Sequence, residues 1–217
     1  LSDSGYRMFK NQKFELFADV GHVGASYQPA HVHSDTFNFI LYVDNQPVFV
    51  DTGVSTYEKN ALRQSERSTS SHNTVQIGQI EQTQIWDGFR VAKRAGIIAL
   101  NEVDGVEATH DGYKSIDIEH TRKFNTSADA IFIRDTFSKK TKEQQTAFFH
   151  FHPSITDISI ENSKVFIADK KITLFFKGEN ISIEKVSYSF ATGFNTTLKA
   201  VKLKVLFELS LETTIQL

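Results

Sequence analysis

Short apolar–polar alternations, each closed by a cluster of turn residues, recur along this chain and exclude most helical folds. Residues 13–20 (KFELFADV) and 38–43 (NFILYV) put apolar side chains at every second position. That is the period of a half-buried strand rather than of a helix. Asp44-Asn45-Gln46-Pro47 follows the second run and leads into Val48-Phe49-Val50, which is the chemistry of a hairpin. With Asn45-Gln46 as a two-residue turn, Asp51 falls opposite Ile40. Residues 130–136 and 146–152, around a Lys-rich tip at 138–145, predict a second hairpin. Residues 165–168 and 172–177 predict a third, and 203–211 (LKVLFELSL) alternates again to close the fold. The stretch 57–67 is the one helix candidate, and it is polar. Phe occurs 19 times in 217 residues, and Phe, Ile, Val and Thr suit a pleated surface. Many turn signals and few helices indicate an all-β antiparallel sandwich or barrel. With no repeat and no linker, residues 1–217 read as one domain.

Composition narrows the partners. The net charge is −2 with no basic stripe, which argues against nucleic acid. A few Arg in a cleft still leave an acidic sugar open as a ligand. The absence of Cys removes disulfides and thiolate metal sites. No window reaches the roughly 18 apolar residues of a membrane span, so no membrane partner is expected. The chain opens Leu-Ser-Asp-Ser with neither an initiator Met nor a signal peptide, and reads as a fragment or a processed chain with a partner domain missing.

The polar chemistry is unevenly spread, with six of the eight His between His22 and His120. In Pro29-Ala30-His31-Val32-His33-Ser34-Asp35, His31 and His33 share one face of an extended chain, about 6–7 Å apart. Two imidazoles so placed can share a metal or divide metal binding and proton handling; they can equally be hydrogen-bonded surface residues. Asp51 ends an apolar strand before Thr52-Gly53. It can bind a metal, orient a histidine or hold turn amides. His72 starts a strand after a polar loop in which Arg63 and Arg67 could pair with an anion. Trp86, Phe89, Arg90 and Arg94 suit a sugar platform with a carboxylate clamp, or core packing. His110 adds a further candidate, while His150 and His152, at the end of an apolar strand, read as structural. Spacing alone does not bring Asp51 to His33, because an offset of seven residues is about 23 Å along a straight strand.

In this order the pieces resemble the C-terminal β-sandwich domain of the heparinase II/III-like polysaccharide lyases. The matching text is His31-Val32-His33-Ser34-Asp35-Thr36-Phe37-Asn38-Phe39, then Val50-Asp51-Thr52-Gly53 with Tyr57, then Ser71-His72-Asn73-Thr74-Val75. Residues 84–95 (QIWDGFRVAKRA), 110–113 and His120-Thr121-Arg122 continue it. The similarity covers residues 22–152; the last part of the chain adds strands but no motif.

The resemblance implies two stacked antiparallel sheets of the supersandwich type, and an N-terminal α/α-toroid domain in cis that this sequence lacks. It implies His33, Asp51 and His72 as ligands of zinc or another divalent cation, and His31 and Tyr57 as residues of a catalytic cleft between the domains. It also implies that His33 and Asp51 meet in space. Arg67 and Arg90 are the candidate contacts to an acidic polysaccharide. The reaction implied is β-elimination at a uronic acid, in a periplasmic or secreted bacterial protein, with the base on the helical domain. Two other readings stay open. One is a non-catalytic carbohydrate- or metal-binding module. The other is a cupin-like metal oxygenase, in which a Glu ligand would stand where Phe37, Asn38 and Phe39 stand here.

Overall fold

The structure, a computed structural model, describes residues 2–25, 27 and 31–217; Pro29 and Ala30 of the first histidine motif lie outside them. Strands β1 (Tyr6–Lys10), β2 (Phe14–Asp19), β3 (Phe39–Val43) and β4 (Gln46–Phe49) form a four-stranded antiparallel sheet in that order. Next come a short helix, α1 (Ala61–Glu66), the strand β5 (Val75–Ile77), and a two-stranded ribbon of β6 (Ile85–Trp86) and β7 (Arg90–Val91). The remaining strands are β8 (Ile97–Asn101), β9 (Val106–Tyr113), β10 (Ile118–Thr126), β11 (Ala130–Phe137), β12 (Gln145–His150), β13 (Ile158–Glu161), β14 (Lys164–Ile167), β15 (Ile172–Gly193) and β16 (Thr196–Gln216). They build a large sheet in the order β13-β14-β15-β16-β11-β10-β9-β8, with β12 attached to β16 and β5 attached to β12.

The alternation is visible in the packing. Phe14, Leu16 and Ala18 on β2 and Phe39, Leu41 and Val43 on β3 are buried, and the residues between them are not. These faces join those of the large sheet in one apolar core. Phe does much of the bridging. Phe39 lies 6.1 Å from both Phe124 and Phe149, and Phe149 lies 5.8 Å from Phe49 and 5.4 Å from Phe176. Each such ring contributes about 1.5–3 kcal/mol through its removal from water.

Two expectations need correction. The segments 130–136 and 146–152 do not pair as a hairpin. Both dock on one edge of β16, Ala130–Thr136 against Gln216–Ser210 and Gln145–His150 against Phe207–Lys202. The changeover falls at Leu209, which has φ 60° and donates its N–H to Gln145 Oε1 at 2.6 Å. The turn after β3 is centred on Asp44-Asn45, with φ values of 49° and 57°, left-handed angles that Asp and Asn tolerate. Val43 faces Gln46 and Tyr42 faces Pro47, after which a bulge sets Leu41 against Phe49. The shifted register carries Asp51 past Ile40, and Asn38 Nδ2 donates to Asp51 Oδ2 at 2.8 Å.

The two sheets meet where the site forms. Val50 N–H donates to His150 O and His152 N–H to Val48 O, both at 3.0 Å, so the end of β4 is laced to the end of β12.

Candidate metal centre and cleft

Residues 31–36, between β2 and β3, alternate again without pairing in a sheet. Val32, Ser34 and Thr36 are buried, whereas His31 is exposed and His33 and Asp35 are half-buried. Polar groups fasten the buried face. Arg67 donates from Nε and Nη2 to Val32 O at 3.0 and 2.9 Å, and Ser34 N–H donates to Arg67 O at 2.9 Å. Ser34 Oγ accepts from Thr83 N–H at 2.9 Å and pairs with Thr69 Oγ1 at 2.7 Å; Thr74 Oγ1 donates to Thr36 O at 2.7 Å. His31, His33 and Asp35 therefore line the opposite side, a cavity of about 290 Å³ shared with Tyr6, Asp19 and His22.

His72, at the end of a short 3₁₀ turn (Thr69–Ser71), completes the cluster. One donor atom from each of His33, Asp35 and His72 lies within 4.8 Å of the others, and the two imidazole rings are 5.3 Å apart. This group can hold a metal ion. His72 is fully buried, its Nδ1 lies 2.8 Å from Asp51 Oδ2, and its Nε2 has no hydrogen-bond partner. A buried ring nitrogen left without a partner is costly, and a metal ion would satisfy it. Asp51 also accepts from Asn38 Nδ2 at 2.8 Å and from Gly53 N–H at 2.9 Å. The expected trio was His33, Asp51 and His72. The structure gathers His33 and His72 with Asp35, and sets Asp51 on the Nδ1 side of His72. Asp35 stands two residues from His33, so the same-face argument that joined His31 to His33 extends to it.

The charge states of His33 and Asp51 fit an ion site, while the raised His72 would release a proton on ligating. Burial, and then the nearby His72, pushes His33 down to about 3, leaving it neutral and able to ligate. Burial would raise Asp51, but the charge and hydrogen bond of His72, with the Gly53 N–H, hold it below the usual carboxylate range. His72 is raised: burial works against its charged form, and Asp51 outweighs it. Asp35 is raised by burial, and Asp19, across the same cavity, is raised to about 7 by burial and then by Asp35. Two desolvated carboxyl groups facing one cavity favour a cation or a shared proton.

At the surface, the His31 and Tyr57 rings meet edge-on at 6.0 Å, and Tyr57 is 48% exposed. Tyr57 lies parallel to Phe89 at 6.3 Å, and the Arg63 guanidinium sits 5.2 Å from the Tyr57 ring. The candidate substrate arginines separate. Arg90 is exposed beside Asp87, at 3.4 Å, whereas Arg67 is fully buried against Val32 O. Arg63 Nη1 and Nη2 and Arg67 Nη1 are buried without partners. Trp86 is 42% exposed. His150 is buried with Nδ1 3.1 Å from Asn73 Oδ1, and His152 Nδ1 lies 2.8 Å from Ser154 Oγ.

Two imidazoles and a carboxylate, gathered where two antiparallel sheets meet and beside an exposed His–Tyr pair, define a β-sandwich with a candidate metal centre. The sequence profile described as "Heparinase II/III-like, C-terminal" matches residues 1–216, and the chain belongs to that family. Among solved structures it is similar to a heparan sulfate lyase, HepC, from Pedobacter heparinus, with TM-score 0.78, 13% identity, and coverage of 99% of this chain and 35% of that one. It is also similar to a heparinase III at TM-score 0.78, 15% identity, and coverage of 99% and 35%. A 4-alpha-glucanotransferase from Thermococcus litoralis follows at TM-score 0.53 and 10% identity, with 98% and 37% covered. At such identities these likenesses speak for the fold. The chain spans about a third of the length of the heparinase III and HepC structures it matches. No curated protein matches it at a significant level. Among the described residues, no helix is long and apolar enough to cross a membrane.

Proposed function

We propose that this chain is the sandwich half of a polysaccharide lyase that cleaves uronic-acid-containing glycans by β-elimination. The observation that carries the reading is the exposed His31–Tyr57 ring pair beside the His33–Asp35–His72 group. In β-elimination a base removes the C5 proton, a C4=C5 double bond forms, and the C4–O bond breaks as its oxygen gains a proton. The C5 proton is weakly acidic, so positive charge or hydrogen bonds must meet the uronate carboxylate as negative charge builds. His31, exposed at the surface with Tyr57 against its ring, would hydrogen-bond that carboxylate or hand on a proton. Arg90, exposed on the ribbon, would meet further anionic groups of the glycan. Arg67, fully buried against Val32 O, would serve by holding the segment that carries His31 and His33 rather than by touching the glycan.

His33, His72 and a carboxylate would hold the ion, zinc being the choice that suits two imidazoles and one carboxylate. When bound it supplies fixed positive charge that braces the sandwich side of the cleft. A helical domain in cis would supply the other wall and the base, and the bacterial periplasm or exterior is where such glycans are met. The test is the ultraviolet absorbance of unsaturated uronate. The parent protein, offered heparan sulfate, alginate and capsular polysaccharides, produces it with one of them, and His31→Ala abolishes the signal. Silence on every acidic glycan would leave a binding module in place of an enzyme.

A further inference from the structure

Behind the candidate metal centre, a row of buried ionisable groups crosses the large sheet and ends on the site's own backbone. His110 on β9, His120 and Arg122 on β10 and Asp135 on β11 are all 0% exposed. Gly112 N–H donates to His110 Nδ1 at 3.0 Å, and His110 Nε2 lies 3.0 Å from His120 Nδ1. His120 Nε2 lies 2.7 Å from Asp135 Oδ1. Arg122 grips both oxygens of Asp135, Nε on Oδ1 at 2.7 Å and Nη2 on Oδ2 at 2.9 Å. Its remaining nitrogen, Nη1, donates to two carbonyls: Phe37 O at 2.9 Å and Asn73 O at 2.7 Å.

Those carbonyls belong to the two segments that carry the candidate ligands. Phe37 follows His33 and Asp35 by four and two positions and takes φ 69°, a left-handed angle rare for a bulky residue. The turn there closes through Asn38 N–H on Asp35 O at 2.8 Å. Asn73 follows His72 directly. One planar guanidinium thus spans the gap between the segments, and its angle is set from behind by a bidentate carboxylate.

We infer that Arg122, held by Asp135, is a positioning residue that sets the spacing of His72 from His33 and Asp35. A fork with five donors in a plane can hold two carbonyls and a carboxylate at once. Lysine at the same place keeps the charge but has no second arm, so it cannot keep all three. The inference rests on the ion-site reading only for its consequence in metal affinity; the spacing of the two segments is a property of the ion-free protein.

The test uses the 217-residue chain with Arg122→Lys and Asp135→Asn, and a core variant outside the hydrogen-bonded row, Phe207→Leu, for comparison. Zinc affinity is measured by competition with a chromophoric chelator, and site geometry from the d–d spectrum of the cobalt(II) form, well below each unfolding temperature. Arg122→Lys and Asp135→Asn weaken zinc by about 10–100-fold, as loss of an outer-shell partner does, and alter the cobalt spectrum. Phe207→Leu lowers the unfolding temperature and leaves both readings unchanged. A crystal structure of ion-free Arg122→Lys shows the His33 and His72 rings moved from their 5.3 Å separation. Unchanged separation with both carbonyls in place overturns the inference, and so does an equal loss of affinity in Phe207→Leu. A wild-type chain that binds no zinc sinks the ion-site reading, while the ion-free structure still decides the inference.

Discussion

His72 Nδ1 lies 2.8 Å from Asp51 Oδ2, and the opposite ring nitrogen of His72 is buried without a partner. An imidazole fixed by a carboxylate on one side is oriented to ligate with the other. Asp35, within 4.8 Å of both histidine donor atoms, would then be the carboxylate ligand of the proposed ion site. Removing a ligand and removing an orienting group have different costs. His33→Ala, His72→Ala and Asp35→Asn are expected to abolish tight zinc binding, whereas Asp51→Asn weakens it about 10–100-fold. Isothermal titration of the four variants separates these outcomes. If Asp51→Asn abolishes binding and Asp35→Asn leaves it intact, Asp51 is the ligand and Asp35 is not.

Asn73 ties four parts of the fold together from inside. Its side-chain amide donates to Phe39 O at 2.7 Å and Val50 O at 3.0 Å, and its Oδ1 accepts from His150 N–H at 2.6 Å. Its own N–H donates to Asn38 Oδ1 at 2.8 Å. Alanine would strand three buried backbone groups, each costing about 1–3 kcal/mol when no water can replace the partner. Asn73→Ala is therefore expected to lose at least about 3 kcal/mol by urea denaturation, at the upper end for a point mutation. A loss under about 1 kcal/mol would show that water enters and satisfies these groups.

Much of the sandwich was legible because a strand writes its burial at period two, as Phe14-Leu16-Ala18 and Phe39-Leu41-Val43 do. What escaped has physical reasons. The bulge between Tyr42 and Leu41 leaves no mark in composition, so the register that sets Asp51 was misplaced. The partners of β11 and β12 lie far along the chain on β16, and local turn chemistry cannot report a distant edge. In the site, His33 and His72 stood out by residue type. Asp51 entered the ligand set through the family resemblance, whereas Asp35, which shares a face with His33, joins the two histidines only in three dimensions. The burial of Arg63 and Arg67 contradicts what a polar stretch suggests, and only the three-dimensional cover of Tyr57, Phe89 and Val32 accounts for it.

Acid should weaken this fold, and buried histidines set the direction. Burial holds His110 and His150 well below their usual range, and His120 is also lowered, burial being the largest cause. In the unfolded chain each titrates near about 6.5. Below that pH the unfolded chain binds protons that the folded chain refuses, so stability rises with pH in this window and falls on acidification. Each such group contributes up to about 1.4 kcal/mol per pH unit. His33, lowered to about 3, adds to them. Asp19 and Asp35, both raised, keep protons in the folded chain and oppose them. His72, also raised, acts above about pH 6.5 and no further below it. Urea midpoints should decline steadily from pH 7 to pH 5, and His110→Gln should flatten the slope by about one proton. A flat profile across that range would falsify the assignment of these residues as neutral in the folded state.

The loop after Asp51 meets the far end of the longest hairpin at Gly53. Its φ is 74°, and a Cβ there would lie 3.1 Å from Ala191 Cβ and 3.2 Å from Ala191 O. Ala191 N–H donates to Thr52 O at 2.9 Å and Asn195 N–H to Ser55 O at 2.6 Å, so the β15–β16 tip clasps this loop. Gly53 N–H in turn holds Asp51 Oδ1 at 2.9 Å, which links the clasp to the imidazole of His72. Alanine at 53 meets two penalties: the left-handed backbone, about 1–2 kcal/mol, and contact with backbone that cannot easily give. Gly53→Ala should therefore lose about 2 kcal/mol in thermal or urea unfolding, the sum of strain and crowding. Because the strain falls next to Asp51, zinc affinity should drop with it. Gly193→Ala, at the open end of the same hairpin with nothing within 4 Å of its Cβ position, should leave zinc affinity unchanged. Equal effects on zinc at the two glycines would show that the clasp on Asp51 plays no part in holding the ion.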